Sequence, residues 1–276
     1  MLGIQKRYLM GFETEYFILD NEGRISCSAD KLLAELRSAA KKECAKNMIE
    51  VVSRPAEIVS GAAADAMKKI RALIETAEKN DARIFYYGTY PGAFNPEMRK
   101  EGGYGIKEKI FGMSWPVAGR CAGFHCHYTL TRGLFSNVAK NLRLLLKFGA
   151  NQTFVDSYNM LIAIDPVFST FLQSSPFYQG RFYGKDSRML FYRGNLGIEG
   201  LYTELPAFGA LPKYEHIVTD IMYATEGRLE QFDKIYRERS RDVRGVELAG
   251  QGQRRRQFEQ AALVQSDILG EVRRQG

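Results

Sequence analysis

The chain has 276 residues, of which 45% are hydrophobic and 26% charged, a composition that predicts a folded protein with a substantial core and excludes a disordered chain. No apolar run is long enough to span a bilayer, the N-terminus has no signal-peptide pattern, and the four cysteines form no CxxC pair, so we expect a cytoplasmic protein with reduced thiols and no membrane partner. The net charge of +7 suits small anions as ligands and, less specifically, nucleic acid.

The N-terminal half of the chain is predicted to alternate strands with helices. The first strand is rich in aromatic and β-branched residues and ends in the turn sequence DNEGR. The polar, glycine-containing segment 95–105 is expected to be a loop. In chain order, the predicted elements are a strand over 7–20, a helix over 28–43, a strand over 46–53, a helix over 60–80, and strands over 82–92 and 121–131.

The C-terminal half is predicted to be mainly helical. In chain order we expect helices over 134–147 and 152–164, a loop over 174–188, a strand over 199–209, a helix over 212–236 and a basic helical segment from about 252. We find no repeat, low-complexity tract or linker. The irregular spacing of the strands favours a single α+β domain over 1–276 instead of a uniform βαβ array.

Carboxylates and imidazoles recur on predicted strands that otherwise carry bulky residues. Because side chains alternate along a strand, Glu13 and Glu15 point to the same face. Glu50 interrupts an apolar stripe on the second strand in the same way, with Glu43 a short distance upstream. His125 shares one face of the fourth strand with His127. An antiparallel sheet could bring these polar faces together in one cleft.

Clustered carboxylates repel each other and lose hydration unless a counter-charge neutralises them. A divalent cation provides that charge, and oxygen ligands with an occasional imidazole suit Mg²⁺ or Mn²⁺, particularly beside substrate phosphates. No HExxH or cysteine-rich pattern indicates zinc. The alternative for the E-x-E pair is a solvated strand face, and for Glu50 alone it is a partner in a salt bridge.

Several short segments together resemble the glutamate–cysteine ligase type 2 family, which is related in fold to glutamine synthetase. In chain order they are GFETEYFILD, the Glu43–Glu50 region, GTYPGAF, GFHCHYTL, SSPFYQGRFYGKDSR and, over 248–258, LAGQGQRRRQF. Each segment is short, but their order over most of the chain is fairly specific. The resemblance implies a curved antiparallel sheet with helices packed on one face, and an ATP-dependent carboxylate–amine ligase that uses Mg²⁺ or Mn²⁺.

The resemblance also implies a reaction and a set of site residues. In such ligases ATP phosphorylates a substrate carboxylate, and an amine then attacks the acyl phosphate to form an amide, possible products including a γ-glutamyl amide. By position, the implied metal ligands are Glu13, Glu15, Glu43, Glu50 and His125. His127 would contact nucleotide or substrate. Arg188 would bind an anion, because a guanidinium matches phosphate or carboxylate with two parallel hydrogen bonds. A surface salt bridge is the alternative role for Arg188.

The sequence departs from the family pattern in two places. Typical members are longer, and between the SSPF loop and the C-terminal segment they carry a strand with an E-x-R motif. Here Glu204 is the candidate metal ligand of that strand, but Pro206 stands where the arginine is expected. Tyr90 replaces the usual histidine of the G-x-H-P turn.

Three functions therefore compete. The first is the ligase, acting on an amino-acid-like carboxylate and an amine that the sequence does not identify. The second is a non-catalytic relative that kept the sheet as a ligand-binding or partner subunit. The third, a nucleic-acid binder, rests on the basic tail alone, without an RRM, KH or helix-turn-helix signature. The contracted chain also makes a homo-oligomer plausible, with the site completed by a neighbouring subunit.

Overall fold

The computed structural model describes residues 8–129, 135–136, 141–142, 148–184, 186–188, 191 and 200–241. The chain divides into two compact units. The sheet unit comprises Met10–His127 and Leu172–Gly209, and the helical unit comprises Met1–Leu9, Tyr128–Phe171 and Ala210–Gly276. The expectation that 1–276 acts as one ligase-like domain stays a prediction. The basic segment from about 252 lies outside the described residues.

A five-stranded sheet forms the centre of the sheet unit. Its strands are β1 (Met10–Asp20), β2 (Lys41–Lys42), β3 (Met48–Val52), β4 (Ala82–Phe85) and β5 (Phe124–Tyr128). The strand order is β2-β3-β1-β4, with β5 also paired to β1, and the β1–β3, β1–β4 and β2–β3 pairs are antiparallel. The predicted combination of helices with an antiparallel sheet is confirmed, whereas the curvature of the sheet stays a prediction.

Helices α1 (Ala29–Leu36) and α2 (Val59–Lys79) cover one face of this sheet. Ile18 of β1 and Ile49 of β3 point to that face, where they meet Leu32 of α1 and Leu73 of α2, all fully buried. Each such side chain contributes roughly 1.5–3 kcal/mol through burial. Since alternate residues face opposite ways, this packing directs Glu13 and Glu15 of β1 to the other face.

Other elements complete the sheet unit. They are a 3₁₀ turn (Arg37–Ala39), α3 (Gly103–Phe111), a 3₁₀ segment (Gly112–Arg120), the hairpin strands β8 (Phe177–Tyr178) and β9 (Arg181–Phe182), and the short helix α5 (Pro206–Gly209). The hairpin is held to the loop after β4, since Thr89 Oγ1 donates to the Phe177 carbonyl at 2.7 Å and Gly180 N–H donates to the Pro91 carbonyl at 2.8 Å.

The helical unit contains β6 (Phe135–Ser136), β7 (Asn141–Leu142), α4 (Phe148–Phe171) and α6 (Val218–Arg241). Its core joins α4 to α6 through Phe154, Val155, Tyr158 and Ile162 on one helix and Val218 and Ile221 on the other. Asn159 ties α4 to the segment before α6, donating to the Glu215 carbonyl at 2.7 Å and accepting from the Glu215 N–H at 2.9 Å. Among the described helices, none is long and apolar enough to cross a membrane.

Three N-terminal predictions were wrong in extent. The strand expected over 82–92 ends at Phe85. The helix expected over 28–43 ends at Leu36, because Arg37 adopts a left-handed conformation (φ 51°) and Lys41–Lys42 pair with β3 as an edge strand. The loop expected over 95–105 gives way to α3 at Gly103. Gly102 makes the turn into this helix at φ 60°, a conformation that glycine adopts without strain.

Three C-terminal predictions were wrong in type. The loop expected over 174–188 contains the hairpin strands β8 and β9, and Ser187 and Arg188 are helical. A helix was expected over 134–147. The described residues of this range are instead the strands β6 and β7, which pair with each other, so strand pairing overrides the helical propensity of a leucine-rich run. In its described part, 200–209, the strand expected over 199–209 is a turn followed by α5. Gly200 N–H donates to Thr203 Oγ1 at 2.7 Å within the turn, and Pro206, which cannot donate a ladder hydrogen bond, begins the helix.

Candidate active site

The acidic residues of β1 and β3 lie on one face of the sheet, opposite the helices. In the antiparallel register Glu15 pairs with Glu50, and Glu13 pairs with Val52. Residues paired across strands point to the same side, so the three carboxylates form one group. Glu13 and Glu50 are buried, being 5% and 6% exposed, and Glu15 is half-buried. We refer to this surface, with the two histidines of β5, as the acidic face.

Two imidazoles of β5 converge on Glu13. His127 Nε2 lies 3.0 Å from Glu13 Oε2, and His125 Nδ1 lies 3.7 Å from the same oxygen. One ligand atom from each of these three residues can be chosen so that all lie within 4.8 Å of one another. This is a compact set of one oxygen and two nitrogen donors. The family resemblance implied that His127 contacts nucleotide or substrate. In the structure, His127 lies closer to Glu13 than His125 does and belongs to the same group of possible metal ligands.

Glu15 is fixed by backbone contacts with the segment leading into β5. Its N–H donates to the Gly123 carbonyl at 3.0 Å, and the Gly123 N–H donates to Glu15 Oε2 at 2.7 Å. A Cβ at Gly123 would lie 2.7 Å from His125 Nε2 and 3.4 Å from Arg188 Nη2, so a larger residue here would displace the His125 ring. Gly123 therefore lets Glu15, His125 and Arg188 meet.

Glu43 also belongs to this group. Its Oε2 accepts a hydrogen bond from the Cys44 N–H at 2.6 Å, which orients the carboxylate just beyond β2. Its negative charge acts on the pKa of both Glu15 and Glu50. The four glutamates singled out in the N-terminal sequence are thus assembled by three elements: β1, β3 and the segment that joins β2 to β3.

The carboxyl groups of the acidic face differ widely in pKa, because burial and neighbouring charges affect each of them differently. Burial, and then the charge of Glu43, raises the pKa of Glu15 to about 7. Burial, and then the charges of Glu13 and Glu43, raises the pKa of Glu50 to about 11. Burial also acts to raise the pKa of Glu13, but the neighbouring imidazoles of His125 and His127 outweigh it and hold that pKa well below its usual range. Without a cation the acidic face therefore retains protons at neutral pH.

Arg188 brings a positive charge to the same place. Its backbone N–H donates to Asp186 Oδ1 at 3.1 Å, and its side chain approaches both Gly123 and Gly88. Its charge opposes the rise in the pKa of Glu15. The structure thus puts Arg188, which is helical together with Ser187, beside carboxylates that are far away in sequence.

Glu204, in contrast, lies outside the sheet. It is exposed in the turn before α5, so the strand on which its role as a metal ligand depended does not exist. Tyr90, at the position of the usual histidine, has a structural contact: its hydroxyl donates to the Gly23 carbonyl at 2.8 Å, and its ring packs edge-on against Phe85 and Phe94.

The sequence missed two residues of α3 that lie next to the acidic residues. Burial, and then the charges of Glu43, Cys44 and Glu50, raises the pKa of Tyr104 well above its usual range, and its hydroxyl donates to the Lys42 carbonyl at 3.3 Å. Lys107 is buried, with its ammonium 5.8 Å from the centre of the Trp115 ring, and its charge acts on Cys44. The GGYG sequence at the start of α3 was interpreted as the end of a loop, so the helix that carries both side chains was not predicted.

The donor set fits a hard divalent cation. Most of the candidate ligands are carboxylates, and imidazoles are the minority. Burial raises the pKa of Glu15 and Glu50, so both groups hold protons that a bound cation can replace. Glu13, His125 and His127 could hold one ion. Glu15, Glu43 and Glu50 could provide further oxygen ligands. With Arg188 alongside, such a site can bind and polarise anionic oxygens.

Similarity to solved structures is low. A glutamate–cysteine ligase (gshA) from Francisella tularensis in complex with AMP matches with 14% identity and a TM-score of 0.43, over 60% of this chain and 34% of that one. A bifunctional glutathione synthetase from Pasteurella multocida matches with 14% identity and a TM-score of 0.40, over 62% of this chain and 24% of that one. The chain thus spans about a third of the first structure and about a quarter of the second.

No functionally curated protein matches the sequence. The sequence model of glutamate–cysteine ligase family 2 (GCS2) does, over residues 9–226, a range that includes β1 to β5, Arg188 and most of the described chain. The resemblance carried by the short motifs is thereby confirmed, and the protein belongs to glutamate–cysteine ligase family 2.

Proposed function

We propose that this protein is an ATP-dependent carboxylate–amine ligase that forms an amide bond through an acyl phosphate. The acidic face is the observation that carries the proposal: Glu13, Glu15 and Glu50 share one side of the sheet, and His125 and His127 join them there. Membership in glutamate–cysteine ligase family 2 supports the same chemistry.

Mg²⁺ or Mn²⁺ would be held by Glu13, His125 and His127, with Glu15, Glu43 and Glu50 as further ligands. When bound, the cation neutralises charge on the transferring phosphoryl group. The protein contributes a buried setting in which few waters compete for these ligands, and it contributes their orientation. The hydrogen bond from Gly123 N–H to Glu15 is one such constraint.

In the proposed reaction, an oxygen of the substrate carboxylate attacks the γ-phosphorus of ATP. The bond between that phosphorus and the oxygen bridging it to ADP breaks, and the products are an acyl phosphate and ADP. The amine nitrogen then attacks the acyl carbon, inorganic phosphate leaves, and the nitrogen loses a proton. Arg188 would hold an anionic oxygen of the phosphoryl group or of the carboxylate beside Glu15, because its guanidinium already lies there.

The carboxylate is proposed to be amino-acid-like, with a γ-glutamyl amide as one product, and the amine is not specified by the described residues. A cytoplasmic location and assembly into a homo-oligomer stay predictions. The exposed position of Glu204 favours a second candidate function, a non-catalytic relative that binds ligands or a partner subunit. That relative would bind nucleotide or an amino acid and release no phosphate.

The first experiment is calorimetric titration of a non-hydrolysable ATP analogue, with Mg²⁺, into the wild-type protein and Glu13→Gln. We expect metal-dependent binding by the wild type and its loss in the variant, because Glu13 contacts both histidines. Glu75→Gln is the matched control, since Glu75 is exposed on α2 and its loss should leave binding unchanged.

Phosphate release with a panel of amino acids and amines then separates the two candidates. Turnover that is absent in Glu13→Gln and normal in Glu75→Gln supports the ligase. Binding without turnover across the panel supports the non-catalytic relative. Equal nucleotide binding by the wild type and Glu13→Gln would refute the assignment of the acidic face in either case.

A further inference from the structure

Two tyrosines directly after β4 form an exposed aromatic stack. Tyr86 and Tyr87 are 68% and 42% exposed, and their ring centroids lie 4.8 Å apart with 22° between the ring planes. Tyrosine rings at the surface bury little area against the protein itself, but they offer a flat π face to a ligand. We refer to these two residues as the tyrosine pair.

The tyrosine pair is supported by a chain of aromatic contacts that reaches the core. Tyr87 packs against Phe85 with centroids 5.3 Å apart, and Phe85 lies 6.4 Å from the fully buried Phe17. Tyr90 packs edge-on against Phe85 at 5.7 Å and is itself held by its hydrogen bond to Gly23. Rings held in this way lose little conformational freedom when a ligand stacks on them.

The tyrosine pair also borders the acidic face. Phe85 pairs with Phe17 across β4 and β1, and Phe17 follows Glu15 at the next residue on the same side of the strand. Tyr87, in contact with Phe85, continues this aromatic row beyond the end of β4. The side of the sheet that holds the carboxylates therefore ends in exposed aromatic rings.

Backbone contacts bring the tyrosine pair close to Arg188. Gly88 directly follows Tyr87, and a Cβ at Gly88 would lie 3.4 Å from Arg188 Cδ. The Gly88 carbonyl accepts a hydrogen bond from the Ala122 N–H at 2.9 Å, one residue before the glycine that binds Glu15. An anionic group held at Arg188 would thus have a flat aromatic surface next to it.

We propose that the tyrosine pair stacks a planar aromatic ring of a ligand whose anionic or reacting end is held at Arg188 and the acidic face. The inference rests on the proposed ligase function, because it takes the acidic face to be the reaction site. Two substrates could carry the ring: the purine of the nucleotide, or an aromatic group on the amine. Both present the same π surface, and stacking of this kind tolerates different ring chemistries.

The test compares ligands with and without the ring, by calorimetry in the presence of Mg²⁺. For the nucleotide, the probes are ATP and ribose 5-triphosphate, which lacks only the base, both without an amine. For the amine, the probes are 2-phenylethylamine and butylamine, with the non-hydrolysable ATP analogue present. Each is titrated into the wild type, Tyr87→Leu, Tyr86→Leu and Tyr87→Phe, the last of which keeps the ring and serves as the matched control.

In one of the two comparisons, we expect the wild type to bind the ring-bearing probe roughly tenfold more tightly than the ring-free probe. Tyr87→Leu and Tyr86→Leu should reduce that preference to about two or less, whereas Tyr87→Phe retains it and all variants bind ribose 5-triphosphate as the wild type does. Which comparison shows the preference identifies the substrate that carries the ring.

The inference is overturned if the leucine variants keep the wild-type preference, or if the wild type shows none in either comparison while still binding ribose 5-triphosphate. That outcome leaves the ligase proposal standing, because the anionic part of the ligand is still bound. If the wild type binds neither triphosphate, the proposed function fails together with this inference. A leucine variant that loses ribose 5-triphosphate as well contradicts a stacking role and indicates a structural one.

Discussion

Binding of a divalent cation to the acidic face should release protons, and the number released should fall as the pH rises. Glu15, with a pKa of about 7, holds about 0.9 of a proton at pH 6 and about 0.1 at pH 8. Glu50, with a pKa of about 11, holds about one proton at both pH values. Because a protonated carboxyl group must lose its proton before it can ligate a metal, Mg²⁺ binding should release about two protons at pH 6 and about one at pH 8.

The same arithmetic sets the pH dependence of cation affinity. The slope of log affinity against pH equals the number of protons released, which averages about 1.5 over this range, so affinity should rise roughly a thousandfold from pH 6 to pH 8. Stability of the metal-free protein changes in the opposite direction. A carboxyl whose pKa is raised by folding contributes stability that is present below its unfolded pKa and is lost as the pH rises through its folded pKa.

The assay is titration calorimetry with Mg²⁺ or Mn²⁺ at pH 6, 7 and 8, each in two buffers with different ionisation enthalpies. The difference in heat between buffers gives the number of protons released. Glu50→Gln should remove about one proton from that number at every pH, since glutamine carries no titrating group. Tight cation binding with no proton release at any pH would refute the reasoning, because it would mean that the buried carboxyls are already ionised.

Two further predictions concern residues around the sheet. Lys41 pairs with Glu50 across β2 and β3, so its side chain points to the acidic face, whereas Lys42 pairs with Ile49 and lies 3.5 Å from Glu101. Lys41→Ala should therefore weaken binding of the Mg²⁺-bound ATP analogue about two- to fivefold, more at low salt, and Lys42→Ala should leave it unchanged. Equal effects of the two substitutions in calorimetry would contradict the placement of the nucleotide on the acidic face. Asp65 accepts a hydrogen bond from the Arg54 N–H at 2.8 Å, and its carboxylate lies 2.9 Å from the Lys69 ammonium. These contacts outweigh the effect of burial and lower the pKa of Asp65 to about 2. Asp65→Ala should therefore lower the free energy of unfolding by about 1–2 kcal/mol above pH 5. Because the folded pKa is depressed, that difference should disappear as the pH falls from about 4 to about 2, and urea unfolding that shows the same difference at pH 2 and pH 7 would contradict it.

Much of the candidate site was accessible from the sequence because it depends on local geometry. The alternation of side chains along a strand is a property of the extended backbone, so the shared faces of Glu13 with Glu15 and of His125 with His127 follow from spacing alone. The helix predicted over 60–80 is observed as α2. The family resemblance followed from the order of short motifs, and the match over residues 9–226 confirms it.

Predictions failed where a local pattern had more than one solution. The run after Glu199 has the aromatic and threonine content of a strand, yet the bond from Gly200 to Thr203 and the proline at 206 make a turn and a short helix, which leaves Glu204 exposed. Glycines before α3 resembled a loop, although Gly102 only makes the turn into a helix that carries Tyr104 and Lys107. Local propensity cannot decide such cases, because packing against the rest of the chain contributes more free energy than propensity does.

The sequence by itself determined which residues can act as ligands and which side of each strand they occupy, because bond geometry sets both. Only the tertiary structure decided that Glu15 faces Glu50, that Glu13 meets two imidazoles, and that Arg188 approaches Gly123 from a segment distant in sequence. These are contacts between residues far apart in the chain, and strand order and register create them. The raised pKa values of Glu15 and Glu50 likewise come from loss of water and nearness of charge, which no single segment of the chain possesses before the sheet is assembled.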